Sequence, residues 1–146
     1  MKPSTTTRLH VGLATSRLEA AISFYAALLG AEPVKIRPGY AKFEPDDPAV
    51  ELSLNLSEAP IDTGSVHYGI RVASVEDVDH FAERLAASGY ETRREDSVEC
   101  CYATQTKVWA DDPDGHPWEV YVVLDADAER RTSKGSICCE SKGCCE

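Results

Sequence analysis

His10-Val11-Gly12-Leu13 returns later in the chain as His67-Tyr68-Gly69-Ile70. The offset of 57 residues that links them also carries Glu19 to Glu76, Phe24 to Phe81 and Leu28 to Leu85. One spacing shared by strand-like and helix-like positions marks a repeated supersecondary unit. Each copy opens on alternation. Leu9, Val11 and Leu13 stand against His10, Gly12 and Ala14; Val66, Tyr68, Ile70 and Val72 stand against His67, Gly69 and Arg71. That period of two is a half-buried strand. A helix follows in each copy. Ser16 and Glu19 read as a Ser-x-x-Glu capping box for a helix that buries Leu18, Ala21, Ile22, Tyr25, Leu28 and Leu29, with Gly30 as the stop. Ser74 and Asp77 cap a second helix, which turns Val75, Val78, Phe81, Ala82 and Leu85 inward and ends at Gly89.

Three short strands are expected after each helix: 32–37, 40–44 and 50–56 in the first copy, then 90–95, about 102–110 and 118–124 in the second. Arg37-Pro38-Gly39, Pro45-Asp46-Asp47-Pro48 and Asp112-Pro113-Asp114-Gly115 supply turns between them. Each half therefore reads β-α-β-β-β, an α+β arrangement of two modules at about 8–56 and 66–124 within one domain, 8–124. A Pro, Gly, Ser and Asp-rich linker, about 57–65, joins them. Residues 125–146 have no apolar periodicity and are expected to form a flexible, cysteine-rich tail.

The chain has 146 residues, the length of one domain. Its 42% hydrophobic and 27% charged residues are those of a globular protein, not a disordered one. With 15 basic and 25 acidic residues the formal charge is −10, which argues against nucleic acid and anionic membrane as partners. No apolar run approaches the roughly 20 residues of a membrane span. The Thr-rich start lacks a signal-peptide core, so a cytoplasmic location is expected. The six cysteines form three adjacent pairs: Cys100 with Cys101, Cys138 with Cys139, Cys144 with Cys145. Adjacent cysteines do not close the large loops of a disulfide framework. They read instead as paired thiol ligands for a soft metal or metalloid.

Alternation also assigns chemistry to a face. Glu51 precedes the apolar set Leu52, Leu54 and Leu56, and Glu119 precedes Val120, Val122 and Leu124. The helices must cover those apolar sets, which leaves His10, His67, Glu51 and Glu119 on the other face. Two histidines and one carboxylate with open positions is the ligand set of non-heme Fe(II) oxygen enzymes. Adding Glu51 gives a fuller set suited to octahedral Lewis-acid chemistry. Glu51 stays open between a ligand, an acceptor behind a ligand and a surface acid. His80, mid-helix, and His116, in a turn, read as structural or solvent-facing.

The paired βαβββ modules, the opening His-x-Gly and Asp112-Pro113-Asp114-Gly115-His116-Pro117-Trp118-Glu119 resemble the vicinal-oxygen-chelate (glyoxalase/bleomycin resistance/dioxygenase) superfamily. The chain is similar in particular to the ArsI/CadI carbon–arsenic lyases. His10-Val11-Gly12-Leu13, Phe24-Tyr25, Leu28-Leu29-Gly30, Tyr40-Ala41-Lys42-Phe43, Leu52-Ser53-Leu54-Asn55, Val66-His67-Tyr68-Gly69 and Cys100-Cys101-Tyr102-Ala103 carry that likeness. The resemblance implies two modules forming an open, glyoxalase-like barrel. It implies a non-heme Fe(II) dioxygenase-type lyase that uses O2 as co-substrate. Such a lyase degrades trivalent organoarsenicals such as methylarsenite to arsenite and confers resistance to them. His10, His67 and Glu119 become the metal ligands; Cys100 and Cys101, with Tyr102 beside them, become the substrate-binding residues. Arg71, Thr104 and Trp109 are further pocket-lining candidates.

Elementary chemistry agrees with the thiol part. A monosubstituted trivalent arsenic has two exchangeable positions, which two thiolates fill. Neighbouring residues of a regular strand point to opposite faces, so Cys100 and Cys101 can share one arsenic only in a turn, bulge or loop. The polar stretch 93–99 ahead of them is expected as a mobile loop that delivers arsenic to the iron. Two other readings remain. One is a glyoxalase-like isomerase or thiol transferase using Glu51 as a fourth ligand. The other is a non-enzymatic arsenite or cadmium binder built on Cys138, Cys139, Cys144 and Cys145, four thiols being enough for one soft tetrahedral ion. The choice between methyl and aromatic arsenicals, and between monomer and homodimer, stays open.

Overall fold

Local chemistry sets each helix. In α1 (Leu18–Leu29), Gly30 takes the left-handed conformation at φ 61° that ends a helix without side-chain strain. In α2 (Val75–Ala87), Ser74 Oγ accepts the Asp77 N–H at 3.1 Å, as the sequence indicates. The first capping box does not form. Arg17, not Ser16, occupies the N-cap of α1, and no side chain caps it. Thr15 Oγ1 accepts the Arg17 N–H at 3.1 Å instead, and the helix starts one residue beyond the register the box requires.

The computed structural model describes residues 5–100 and 103–125. The chain divides into two units between Ile61 and Asp62. The first runs β1 (Leu9–Thr15), α1, β2 (Lys35–Arg37), β3 (Tyr40–Phe43), β4 (Val50–Leu56). Its sheet has the order β1-β4-β3-β2, with β1 parallel to β4 and the rest antiparallel. Helix α1 lies on β4 and β3. Phe24, Tyr25 and Leu28 meet Ala41, Phe43, Leu52 and Leu54 in the core, all essentially inaccessible to water. A Phe24–Tyr25 edge-to-face contact at 5.1 Å adds specificity to that packing.

The second unit repeats the plan: β5 (Tyr68–Arg71), α2, β6 (Arg93–Cys100), β7 (Ala103–Asp111), β8 (Pro117–Asp125), in the order β5-β8-β7-β6. Helix α2 covers β8 and β7 and buries Val78 and Leu85 with Val108, Val120 and Val122. Two open four-stranded mixed sheets and two helices make an α+β fold. Among the described residues, no helix is long and apolar enough to cross a membrane.

Three strands depart from the sequence reading. β5 spans only Tyr68–Arg71, so Val66, His67 and Val72, expected within it, flank the strand instead. β2 starts at Lys35 rather than 32, because Pro33 has no N–H to give a ladder. The expected strand 90–95 lies instead at Arg93–Cys100, so the polar segment read as a mobile loop is a paired strand. It is an edge strand, and an edge tolerates charge on both faces. Arg93 pairs with Asp111 at 3.1 Å and Arg94 with Asp79 at 2.6 Å. A bulge between Glu95 and Val98 puts Ser97 at φ 50°, and the Ser97 N–H donates to Thr106 Oγ1 at 3.1 Å. Cys100 closes the strand opposite Ala103. Cys101, Tyr102 and the four tail cysteines lie outside the described residues.

Candidate metal centre

Each unit places one histidine beside one glutamate: His10 within β1, and His67 in the residue just ahead of β5. In the first unit the parallel register sets His10 directly opposite Glu51. His10 Nδ1 stands 3.1 Å from Glu51 Oε1, and the His10 side chain is 59% exposed. In the second unit Gly69, not His67, stands opposite Glu119, a slide of two residues relative to the first copy. His67 Nε2 is then 3.7 Å from Glu119 Oε1. A Cβ on Gly69 would stand 3.1 Å from Glu119 Cγ and 3.2 Å from Tyr121 Cε1, so the glycine of the second His-x-Gly makes room for the carboxylate.

Glu119 is only 10% exposed and a buried lysine grips it. Lys107 Nζ donates to Glu119 Oε2 at 2.8 Å, and the Lys107 side chain is 1% exposed. The Trp109 and Tyr121 rings lie 5.6 and 5.7 Å from the same ammonium. A buried cation is tolerated only when paired and surrounded in this way. The Trp109 ring also meets His67 edge-on at 5.7 Å, and its Nε1 is buried without a hydrogen-bond partner among the described residues. Sequence reading missed Lys107. The signal was slight: a lysine next to Val108-Trp109-Ala110 of β7, on the face that alternation gives to Trp109 and that the ladder places beside Glu119.

The first unit has the positional counterpart. Lys42 pairs with Ser53, two residues after Glu51, as Lys107 pairs with Tyr121, two residues after Glu119. Yet Lys42 Nζ goes to Glu44 Oε1 at 2.7 Å. That hydrogen bond raises the Lys42 pKa above its ordinary value and lowers that of Glu44.

The turn ahead of β8 is a closed hydrogen-bonded knot. Asp112 Oδ1 accepts the backbone N–H groups of Asp114 and His116 at 3.0 and 2.8 Å. Asp112 Oδ2 accepts a hydrogen bond from the buried His116 Nδ1–H at 2.7 Å. Tyr68 stacks on Trp118 at 5.0 Å and meets His116 edge-on at 6.1 Å. Burial pushes the Tyr68 phenol above its ordinary range, and the charge of Asp112 adds to the push. His116 is thus structural, and His80 lies exposed on α2.

The structure therefore brings His10 to Glu51, and His67 to Glu119 with Lys107 and Trp109. Among the described residues, no three His, Cys, Asp or Glu side chains form a ready cluster for a metal; the donors come as pairs. The His67–Glu119 pair fits an ion. Two donors on one centre at about 2.1 Å each stand roughly 3–4 Å apart. Lys107 occupies Oε2 and leaves Oε1 toward the imidazole. Imidazole nitrogen with carboxylate oxygen suits a divalent first-row metal. Of the other pocket candidates, Arg71 is exposed at the end of β5 and Thr104 half-buried at the start of β7.

Comparison with known proteins completes the picture. The profile of the Glyoxalase/Bleomycin resistance protein/Dioxygenase superfamily matches residues 7–120. The chain is similar to the trivalent organoarsenical cleaving enzyme of Thermomonospora curvata, 42% identical over 90% of this chain and 87% of that one. It is equally similar to the cadmium-induced protein CadI of Mycobacterium tuberculosis, 42% identical over 92% and 94% of the two chains. Among solved structures, a glyoxalase/bleomycin resistance protein/dioxygenase from Nocardioides superposes with a TM-score of 0.63 at 25% identity, covering 90% and 93% of the chains. Repeat, topology and sequence agree, and the chain belongs to the glyoxalase/bleomycin resistance protein/dioxygenase superfamily.

Proposed function

We propose that this protein is a metal-dependent enzyme that cleaves the carbon–arsenic bond of trivalent organoarsenicals. The observation that carries the reading is the His67–Glu119 pair held by buried Lys107. The similarity to relatives named for that cleavage supports it. In this reading His10, His67 and Glu119 hold one Fe(II), O2 is the co-substrate and arsenite leaves. Bound there, Fe(II) supplies the redox chemistry with O2 that opens the carbon–arsenic bond.

The chain's own residues do the rest. Lys107 commits Glu119 Oε2, so the carboxylate offers one oxygen in a fixed direction. Its ammonium also offsets the carboxylate charge in a water-poor setting. Trp109 backs the His67 ring and shields it from solvent on that side. Cys100 and Cys101 are assigned to the substrate: two thiolates take the two exchangeable positions of a monosubstituted arsenic. Adjacent thiols stay reduced in a cytoplasm, where we place the enzyme.

The test is anaerobic reconstitution with Fe(II) and methylarsenite, then addition of O2 and speciation of the arsenic. Arsenite is expected only with Fe(II) and O2 together, and not from Cys100→Ser or Glu119→Ala. Tight arsenic binding without turnover would contradict an enzyme and favour sequestration.

A further inference from the structure

We infer that Glu51 is a positioning carboxylate for His10 and not a metal ligand. Its Oε1 would accept the hydrogen bond of His10 Nδ1–H, which keeps the proton on Nδ1 and leaves the Nε2 lone pair for the metal. The inference rests on the reading of His10 as a ligand given above.

Three observations carry it, all within the first unit or by comparison with the second. First, the two glutamates face different nitrogens of their histidines. Glu119 Oε1 faces His67 Nε2, as two donors around a common ion do. Glu51 Oε1 faces His10 Nδ1 at 3.1 Å, the side from which a carboxylate sets the tautomer of a ligating imidazole. His10 Nε2 lies away from it over Gly12, 3.7 Å from where a Cβ would stand. Second, the parallel registers differ. β1 against β4 sets His10 face to face with Glu51, whereas β5 against β8 slides Glu119 past His67 to stand beside Gly69. The slide gives the first glutamate a direct imidazole neighbour and frees the second for another task. Third, the lysines are spent differently. Lys107 grips Glu119 at 2.8 Å. Lys42 occupies the matching ladder position but is held by Glu44 at 2.7 Å, a residue with no counterpart in the second unit, where Trp109 stands. Lys42 thus reaches Glu51 only through its charge, and the close contact of Glu51 is with His10.

The experiment uses the full chain with Co(II) as the probe metal. Visible absorption gives both affinity and coordination, and the nitrogen spectrum of the metal-free chain gives the His10 tautomer. Glu51→Ala is expected to weaken Co(II) binding about 10- to 100-fold, with the band shape unchanged and the Nδ1–H tautomer lost. Glu51→Gln keeps an acceptor for Nδ1–H, so its affinity is expected to stay within about threefold of the parent, with the tautomer kept. Glu51→Gln as damaging as Glu119→Ala, with an altered band, would make Glu51 a ligand and overturn the inference. Unchanged affinity in Glu51→Ala would overturn it as well. His10→Ala with unaltered Co(II) affinity is a different failure: it removes the ligand reading of His10, and the positioning role falls with it.

Discussion

The two units share a plan and divide the chemistry. Both carry a histidine ahead of a glycine, a glutamate ahead of an apolar strand and a lysine two ladder positions on. In the first unit the histidine is 59% exposed and the lysine is paired off with Glu44. In the second the glutamate and lysine are nearly sealed from water, and a tryptophan replaces the competing acid. The two copies thus differ in setting: the second seals its glutamate and lysine away from water, and the first leaves its histidine open to it. The lesson is that equivalent residues in a repeat need not have equivalent partners; the strand register and one substituted neighbour decide.

The comparison can be broken most decisively at the glutamates. Glu119→Ala is expected to lower Co(II) or Fe(II) affinity by more than the roughly 100-fold that bounds an outer partner, measured by metal titration. An affinity loss equal to that of Glu51→Ala would erase the division of labour. The lysines come next. Lys107→Met leaves Glu119 buried without its cation and is expected to cost about 3–5 kcal/mol in urea unfolding. Lys42→Met is expected to move the same curve less, because Lys42 and Glu44 keep 16% and 15% of their side-chain exposure, against 1% for Lys107.

The turns before β4 and β8 sharpen the contrast on a smaller scale. Asp112→Ala orphans two backbone donors and buried His116, at an expected cost of about 2–3 kcal/mol. Asp46→Ala removes a carboxylate that is 88% exposed, whose partner is Arg8, and is expected to leave the melting temperature nearly unchanged. The smallest effect is at Tyr68. Its folded-state pKa is raised, so the neutral phenol contributes stability that is full below about pH 10 and lost as pH climbs through the folded value. Tyr68→Phe is expected to flatten that alkaline loss in thermal melts taken from pH 8 to 11.

The sequence carried the element order because repeat, alternation and glycine stops are local signals. The offset between His10 and His67 was enough to pair the modules, and Ser74 declared the start of α2. What it hid was relational. The slide that sets Gly69 opposite Glu119 leaves no mark in either strand alone. Lys107 escaped notice because its burial depends on Trp109 of its own strand and on Glu119 and Tyr121 of the neighbouring one. The stretch 93–99 looked like a loop because an edge strand need not alternate apolar with polar. His116 looked ambiguous until Asp112 closed on it.

The most direct test of the central claim is an anomalous-scattering crystal structure of the chain reconstituted with Fe(II). Iron is expected on His10 Nε2, His67 Nε2 and one oxygen of Glu119, each at about 2.1 Å. Glu119 should keep its other oxygen on Lys107, and Glu51 should lie on His10 Nδ1 outside the coordination sphere. Iron held by the tail cysteines, or a site lacking Glu119, would contradict it.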